Sequence, residues 1–315
     1  MKQLLAWYDA NHRSLPWRLN PDPYWVWISE MMCQQTQIAT VLPYFERWMA
    51  RLPSVESLAA ASIDEVLALW QGLGYYRRAR SIHAAANLIA AQGWPSSAKE
   101  WALLPGVGRY SSAAIASTTL GEPVALVDGN VERVFARLTA CPEGKPALQR
   151  LAWTWAEENL HQPDPGRWNQ ALMELGALVC RPKTPLCDEC PVRAHCRAYA
   201  LGTSEAFPVA SAKPETISLD LTLSVHRLNG KVALVQQPEG EWWTGLWTFP
   251  IQKGSPTQKA LGTVRAQVTH HKLSLHICLV DESPSDARWA EENELHAVAM
   301  PAPIRRAWSI VLRDG

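Results

Sequence analysis

Apolar residues recur at three- and four-residue intervals through the first 200 positions of this 315-residue chain. The runs "SVESLAAASIDEVLALWQGLG", "RARSIHAAANLIAAQG", "ALQRLAWTWAEENL" and "WNQALMELGALVC" each carry that period, which predicts amphipathic helices. Serine, threonine, aspartate and glycine punctuate their ends. The period lapses in "TSEAFPVASAKPET", residues 203–216, where small residues and proline predict a linker. Beyond it, "ISLDLTLSVHRLNGKVALVQQ" alternates apolar and polar positions on both sides of Asn229-Gly230, a strong signal for a tight hairpin. The pattern thus predicts a multidomain chain: an all-α region over 1–202 and a strand-dominated α+β domain over 217–315. No repeat or low-complexity run interrupts it.

Composition narrows the function classes. Hydrophobic residues make up 47% of the chain, enough for substantial cores. Thirty Lys and Arg balance thirty Asp and Glu, so bulk charge does not announce a polyanionic partner. The start, "MKQLLAWYDANHRSLPW", lacks the apolar core of a signal peptide, and no segment approaches twenty uninterrupted apolar residues. The expectation is a soluble intracellular monomer with no membrane partner. Four of seven cysteines crowd into Cys180–Cys196, which in such a chain predicts a metal site and not a disulfide framework. The sixteen tryptophans share no evident function.

Two short motifs carry chemistry. In "LPGVGRYSS", Gly106 and Gly108 allow a tight turn, and a helix opening near Tyr110 presents unpaired backbone N–H groups. With "SSAKEWALL" before it, the stretch reads either as a helix-hairpin-helix able to grip a phosphate or as a glycine-rich connection between two packed helices. The cysteines follow a six-two-five spacing: Cys180, Cys187, Cys190, Cys196. Four thiolates so close can ligate one metal centre, an iron–sulfur cluster or zinc, although zinc sites more often pair two short hooks.

Together these motifs resemble the endonuclease III superfamily of DNA glycosylases, in which that cysteine loop holds a [4Fe-4S] cluster. The resemblance implies a six-helix barrel, with a cluster subdomain built from the N-terminal segment and residues 120–202. It implies DNA contacts from Gly106, Gly108, Arg109, Arg181 and Lys183. Bifunctional members place a lysine nucleophile after the hairpin; this chain has Tyr110, which implies base removal without an efficient lyase step.

The segment "WISEMMCQQTQIATV" is similar to the catalytic helix of MutY-type adenine DNA glycosylases, with Glu30 before Gln34-Gln35-Thr36, and "VDGNVERV" matches the superfamily's catalytic aspartate at Asp128. Read alone, Asp128 is also an ordinary helix cap and Glu30 an ordinary helix carboxylate. The resemblance implies hydrolysis of the N-glycosidic bond of adenine opposite 8-oxoguanine or guanine in double-stranded DNA. Adenine leaves only when protonated, so one carboxyl must donate a proton while another stays ionised. Glu30, flanked by Trp25, Trp27, Met31 and Met32, is expected to have a raised pKa; Asp128 is expected to stay ionised through backbone donors, with Tyr110 and Asn130 orienting the intermediate.

Further matches place Arg13, Trp17, Arg18, Cys33 and Gln170 at the base pocket, and Gln35 and Tyr75 as wedges in the base stack. Relatives commonly have leucine where this chain has Cys33. A core aromatic is the alternative for Tyr75. "LVQQPEGEWWTGLWTFP" resembles the Nudix-like carboxy-terminal domain of these enzymes, yet "IQKGSPTQKALGTVRAQ" lacks any carboxylate, so nucleotide hydrolysis is not expected. Where relatives read the lesion with Phe-Ser-His, this chain has Val268, Thr269 and His270, followed by His271. A thymine or uracil mismatch glycosylase and a noncatalytic DNA-binding protein are the rival readings. The family further implies a bacterial-type, cytoplasmic and nucleoid-associated location.

Overall fold

A computed structural model describes residues 2–210 and 215–314, leaving part of the expected linker, 211–214, outside the described residues. Two compact units emerge, Met1–Ala59 with Ala84–Ala212 and Ala60–His83 with Lys213–Gly315. The expected helical region, residues 1–202, is therefore apportioned between both: residues 60–83 fall in the same unit as the strands.

The first unit contains α1 (Lys2–Asn11), α2 (Pro16–Leu19), α3 (Pro23–Cys33), α4 (Ile38–Arg51) and most of α5 (Val55–Ala60). The second takes α6 (Ile63–Trp70) and the first part of α7 (Arg77–Gln92). The run "SVESLAAASIDEVLALW" is two helices and not one, because Ser62 caps α6 by accepting from the Glu65 N–H. The first unit resumes with α8 (Ala98–Trp101), α9 (Arg109–Thr119), α10 (Gly129–Thr139), α11 (Lys145–Glu158), α12 (Pro165–Leu178) and α13 (Arg197–Ala200). The helix expected over "SSAKEWALL" is a single turn, α8, after which the chain bends into the hairpin.

Local sequence explains the elements that matter. Asp22 caps α3 through the Tyr24 and Trp25 N–H groups, with Pro23 at the first helical position. Val26, Trp27, Ile28, Met31 and Met32 are buried around most of the α3 circumference, which fixes the helix in the interior. Asp128 caps α10, and Asp164 followed by Pro165 opens α12. Helices α9, α10 and α12 pack together around Val131, Phe135, Trp168, Leu172 and Leu175. Gly176 lets α12 approach α10, because a Cβ there would lie 2.5 Å from Asn130 Cβ.

The second unit also holds β1 (Ile217–Val225), β2 (Arg227–Leu228), β3 (Lys231–Gln236), β4 (Trp247–Thr248), β5 (Ile251–Lys253), β6 (Gly262–Val268), β7 (His271–Leu279) and β8 (Arg288–Glu291), closed by α14 (Ala302–Asp314). One sheet runs β5-β1-β7-β6, with β1 and β7 parallel; in the other β3 pairs with β2, β4 and β8. The Asn229-Gly230 hairpin forms, both residues at positive φ, but only two residue pairs long. Its first arm does not continue into β1, which leaves for the other sheet after Val225. Residues 254–261 form no helix, matching the missing acidic box.

Candidate active site

Glu30, on α3, and Asp128, at the head of α10, line one cavity of about 860 Å3 with Tyr110 and Asn130. Tyr110 donates its hydroxyl to Glu30 Oε2 at 2.9 Å and lies 3.4 Å from Met173 Sδ. Burial raises the Glu30 pKa from 4.5 to about 7, with the Asp128 charge adding to the rise and the Tyr110 hydrogen bond and Arg18 opposing it. A carboxyl near 7 exchanges a proton readily at neutral pH. Burial and the neighbouring Glu30 and Asp128 charges push the Tyr110 phenol well above its ordinary value, so it stays a donor.

Asp128 accepts from Asn130 N at 2.9 Å, Val131 N at 2.7 Å and Asn130 Nδ2 at 2.8 Å. These donors and Arg133 favour its anion, yet burial outweighs them and its pKa moves upward. The expected backbone donors are thus in place, and burial opposes them. Asn130 is itself fixed: its Oδ1 accepts from Arg133 Nη2 at 2.9 Å, and Arg133 also donates to the Gly176 and Cys180 carbonyls. Asn130 therefore braces Asp128.

The residues expected at the base pocket divide. Arg13, Trp17, Arg18 and Cys33 line the cavity. Gln170 is not brought to it: its Oε1 accepts from Tyr8 Oη at 2.7 Å, and its Nε2 lies 3.4 Å from Thr118 Oγ1. One turn later stands Glu174, which the sequence reading missed. It is fully buried and binds both arginines: Arg13 through Nε at 2.8 Å and Nη2 at 2.6 Å, Arg18 through Nη1 at 3.0 Å and Nη2 at 2.9 Å. Burial pushes its carboxyl up, but those hydrogen bonds and the Arg18 charge prevail and hold the pKa at about 2. A carboxylate on the buried face of α12, among Trp168, Ala171, Leu172 and Leu175, was the signal available.

At the hairpin Gly106 has φ +78°, which the turn requires. Gly108 is extended and caps α9 with no side-chain hydrogen bond. Arg109 opens α9 on the surface, Lys183 is exposed and Arg181 half-buried. Gln35, past the end of α3, is exposed at φ +57°.

Cys180, Cys187, Cys190 and Cys196 line a single small cavity of about 20 Å3 with Arg137 and Leu186. Arg137 is buried, holds the carbonyls of Arg181, Pro182 and Phe207, and places Nη1 3.4 Å from Cys180 Sγ. Among the described residues no His, Cys, Asp or Glu group is drawn into a formed ion site. The four-thiol donor set, with no imidazole or carboxylate in the lining, suits a thiolate-held centre, iron–sulfur or zinc.

In the second unit, Tyr75, Trp242, Trp243, Val268 and Thr269 line a cavity of about 460 Å3. Tyr75, Trp243 and Thr269 all have positive φ, a backbone region that costs non-glycine residues free energy. Thr269 Oγ1 donates to the Val268 carbonyl at 2.7 Å, and the His271 ring lies between His270 and Trp242, 4.1 and 5.1 Å away between centroids. Tyr75 is 55% exposed, so it is not a core aromatic.

The profile of the HhH-GPD superfamily of base excision DNA repair proteins matches residues 28–158, and a NUDIX domain profile matches 222–309. The adenine DNA glycosylase of Homo sapiens is 32% identical over 98% of this chain and 73% of its own length. That of Buchnera aphidicola subsp. Baizongia pistaciae is 36% identical over 96% of this chain and 94% of its own. The chain belongs to the adenine DNA glycosylase family. A thermostable thymine-DNA glycosylase structure matches 64% of this family member at 25% identity, with a TM-score of 0.58 over 94% of its own chain. An endonuclease III–DNA complex, at 22% identity and a TM-score of 0.54, shares the fold. No helix among the described residues is long and apolar enough to cross a membrane.

Proposed function

We propose that this chain hydrolyses the N-glycosidic bond of adenine opposite 8-oxoguanine or guanine in double-stranded DNA, and does so without an efficient lyase step. The observation that carries the reading is the Glu30 carboxyl, bonded at 2.9 Å by the Tyr110 hydroxyl in a cavity that Asp128 also lines, with burial raising its pKa to about 7. With adenine extruded into the cavity, protonated Glu30 gives its proton to N7, the C1′–N9 electrons leave with the base, and the Asp128 carboxylate faces the cationic sugar. Glu30, now ionised, takes a proton from the water whose oxygen adds to C1′. Tyr110 holds the Glu30 carboxyl in place. As a phenol that keeps its proton, it supplies no amine for a Schiff base.

Arg13 and Arg18, clamped by Glu174, give the pocket a rigid donor wall for the base. The four cysteines would hold a [4Fe-4S] cluster, which lends structure to the loop and takes no part in proton transfer. Thr269, His270 and His271, with Tyr75, are the lesion-side contacts in this reading, and Gln35 the wedge beside the extruded base.

The test is single-turnover cleavage of a duplex bearing adenine opposite 8-oxoguanine, with and without hot alkali, beside a thymine–guanine duplex. Alkali-dependent scission at adenine is expected. Thymine excision alone transfers the assignment to mismatch repair of thymine, the chemistry named for the 25% identical structure. No scission of either duplex by DNA-binding protein leaves a binding role.

A further inference from the structure

From Ala102 to Gly121 Arg109 is the sole charged side chain, so the positive charge of the hairpin and of the helix it starts resides in one guanidinium. That group is held. Its Cζ lies 3.7 Å from the centroid of the Trp153 ring, and its Nη2 donates to Glu157 Oε1 at 2.6 Å. Trp153 and Glu157 sit one turn apart on α11 and therefore share a helix face. Trp153 is half-buried against the helical core, whereas the Arg109 and Glu157 side chains are 61% and 56% exposed.

The two contacts differ in kind. A ring beneath a guanidinium fixes its plane and leaves its N–H edges open to planar acceptors. A carboxylate occupies one of those edges. Its grip is weak, because an exposed ion pair contributes only about 0–1 kcal/mol and is screened by salt. A backbone phosphate offers the same paired oxygens and arrives with the field of a polyanion, while an undisplaced carboxylate would repel it.

We propose that Glu157 occupies, in the free protein, the place on Arg109 that a DNA phosphate takes in the complex, and that Trp153 is the positioning residue that keeps the guanidinium oriented through the exchange. The proposal rests on the reading of the hairpin as a phosphate contact. Its consequence is a lowered affinity for all duplex DNA, damaged or not, which shortens each stay on undamaged sequence.

The experiment measures the affinity of the full-length, cofactor-loaded protein for an undamaged fluorescent duplex at several salt concentrations. Glu157→Gln is expected to tighten binding by up to about 5-fold at low salt, the equivalent of ~1 kcal/mol. Glu158→Gln, removing the same charge one residue away, should change it by less than about 1.5-fold. In an Arg109→Gln background the Glu157→Gln gain should disappear. Trp153→Ala should weaken binding and reduce the gain, with Trp153→Phe restoring much of both. Equal gains from Glu157→Gln and Glu158→Gln, or a gain that survives Arg109→Gln, would overturn the exchange and leave only general electrostatics. Weaker binding by Glu157→Gln would mean that the carboxylate orients Arg109 in the complex instead. If Arg109→Gln alone leaves affinity unchanged, it is the hairpin reading that fails.

Discussion

Glu30→Gln is expected to abolish base release and at the same time to stabilise the protein, in a pH-dependent way. The folded-state pKa of Glu30 lies above its ordinary value, at about 7 instead of 4.5, so ionising it opposes folding. The opposition begins as pH rises through the unfolded value and is complete above the folded one. From those two values it is on the order of 3 kcal/mol at pH 8 and less than about 1 kcal/mol at pH 5. Glutamine removes the ionisation and keeps a carbonyl oxygen for the Tyr110 hydroxyl. Thermal unfolding of both proteins from pH 5 to pH 8 should therefore show a gap that widens to roughly 6–10 °C at the alkaline end. Wild-type base release under single turnover should fall tenfold per pH unit above 7 once Glu30 loses its proton. A gap that stays constant across the range would mean that Glu30 ionises as freely as in water, and its role as proton donor would go with it.

Asp128→Asn should leave stability within about 0.5 kcal/mol, because asparagine caps a helix nearly as well, while base release falls by about 100-fold or more; urea titration and single-turnover assays separate the two. Glu174→Gln strands the half-buried Arg18 at the cavity wall, while Arg13, 36% exposed, can turn to solvent, so the cost in urea unfolding should be at most about 3 kcal/mol, the low end for breaking a buried ion pair from one side. Gly176→Ala forces a methyl into the space of Asn130, at about 1–3 kcal/mol. It should slow base release with little change in DNA affinity, and a wild-type release rate would show that Asn130 does not need its present position.

The parts of the site legible in the sequence are those whose chemistry is local. Asp128 announces itself as the cap of a helix, and the cysteines by their spacing. Glu30 stands out as a carboxylate in an apolar helix. Glu174 was hidden because its meaning depends on Arg13 and Arg18, some 160 residues away, and in its own run it looks like one more helix glutamate. Gln170 was misplaced for the converse reason: its register on α12 is right for the cavity side, but Tyr8 and Thr118 hold its amide. The same limit governs the strands. Asn229-Gly230 fixes its own turn, whereas the parallel partnership of β1 with β7 joins positions about 54 residues apart and leaves no mark on either strand alone.

The grouping of residues 60–83 with the strand-rich half bears on how the polypeptide can be divided. Arg80 donates to the Gly245 carbonyl at 2.7 Å, and Arg305 to Gln71 Oε1 at 3.0 Å. Cutting the chain near residue 210 would deprive the turn bearing Tyr75 of both anchors. A shortened version ending there retains Glu30, Tyr110 and Asp128, yet it loses what holds a segment in the middle of the remaining sequence. Proteases given the shortened version should attack first between residues 71 and 80, far from the new end.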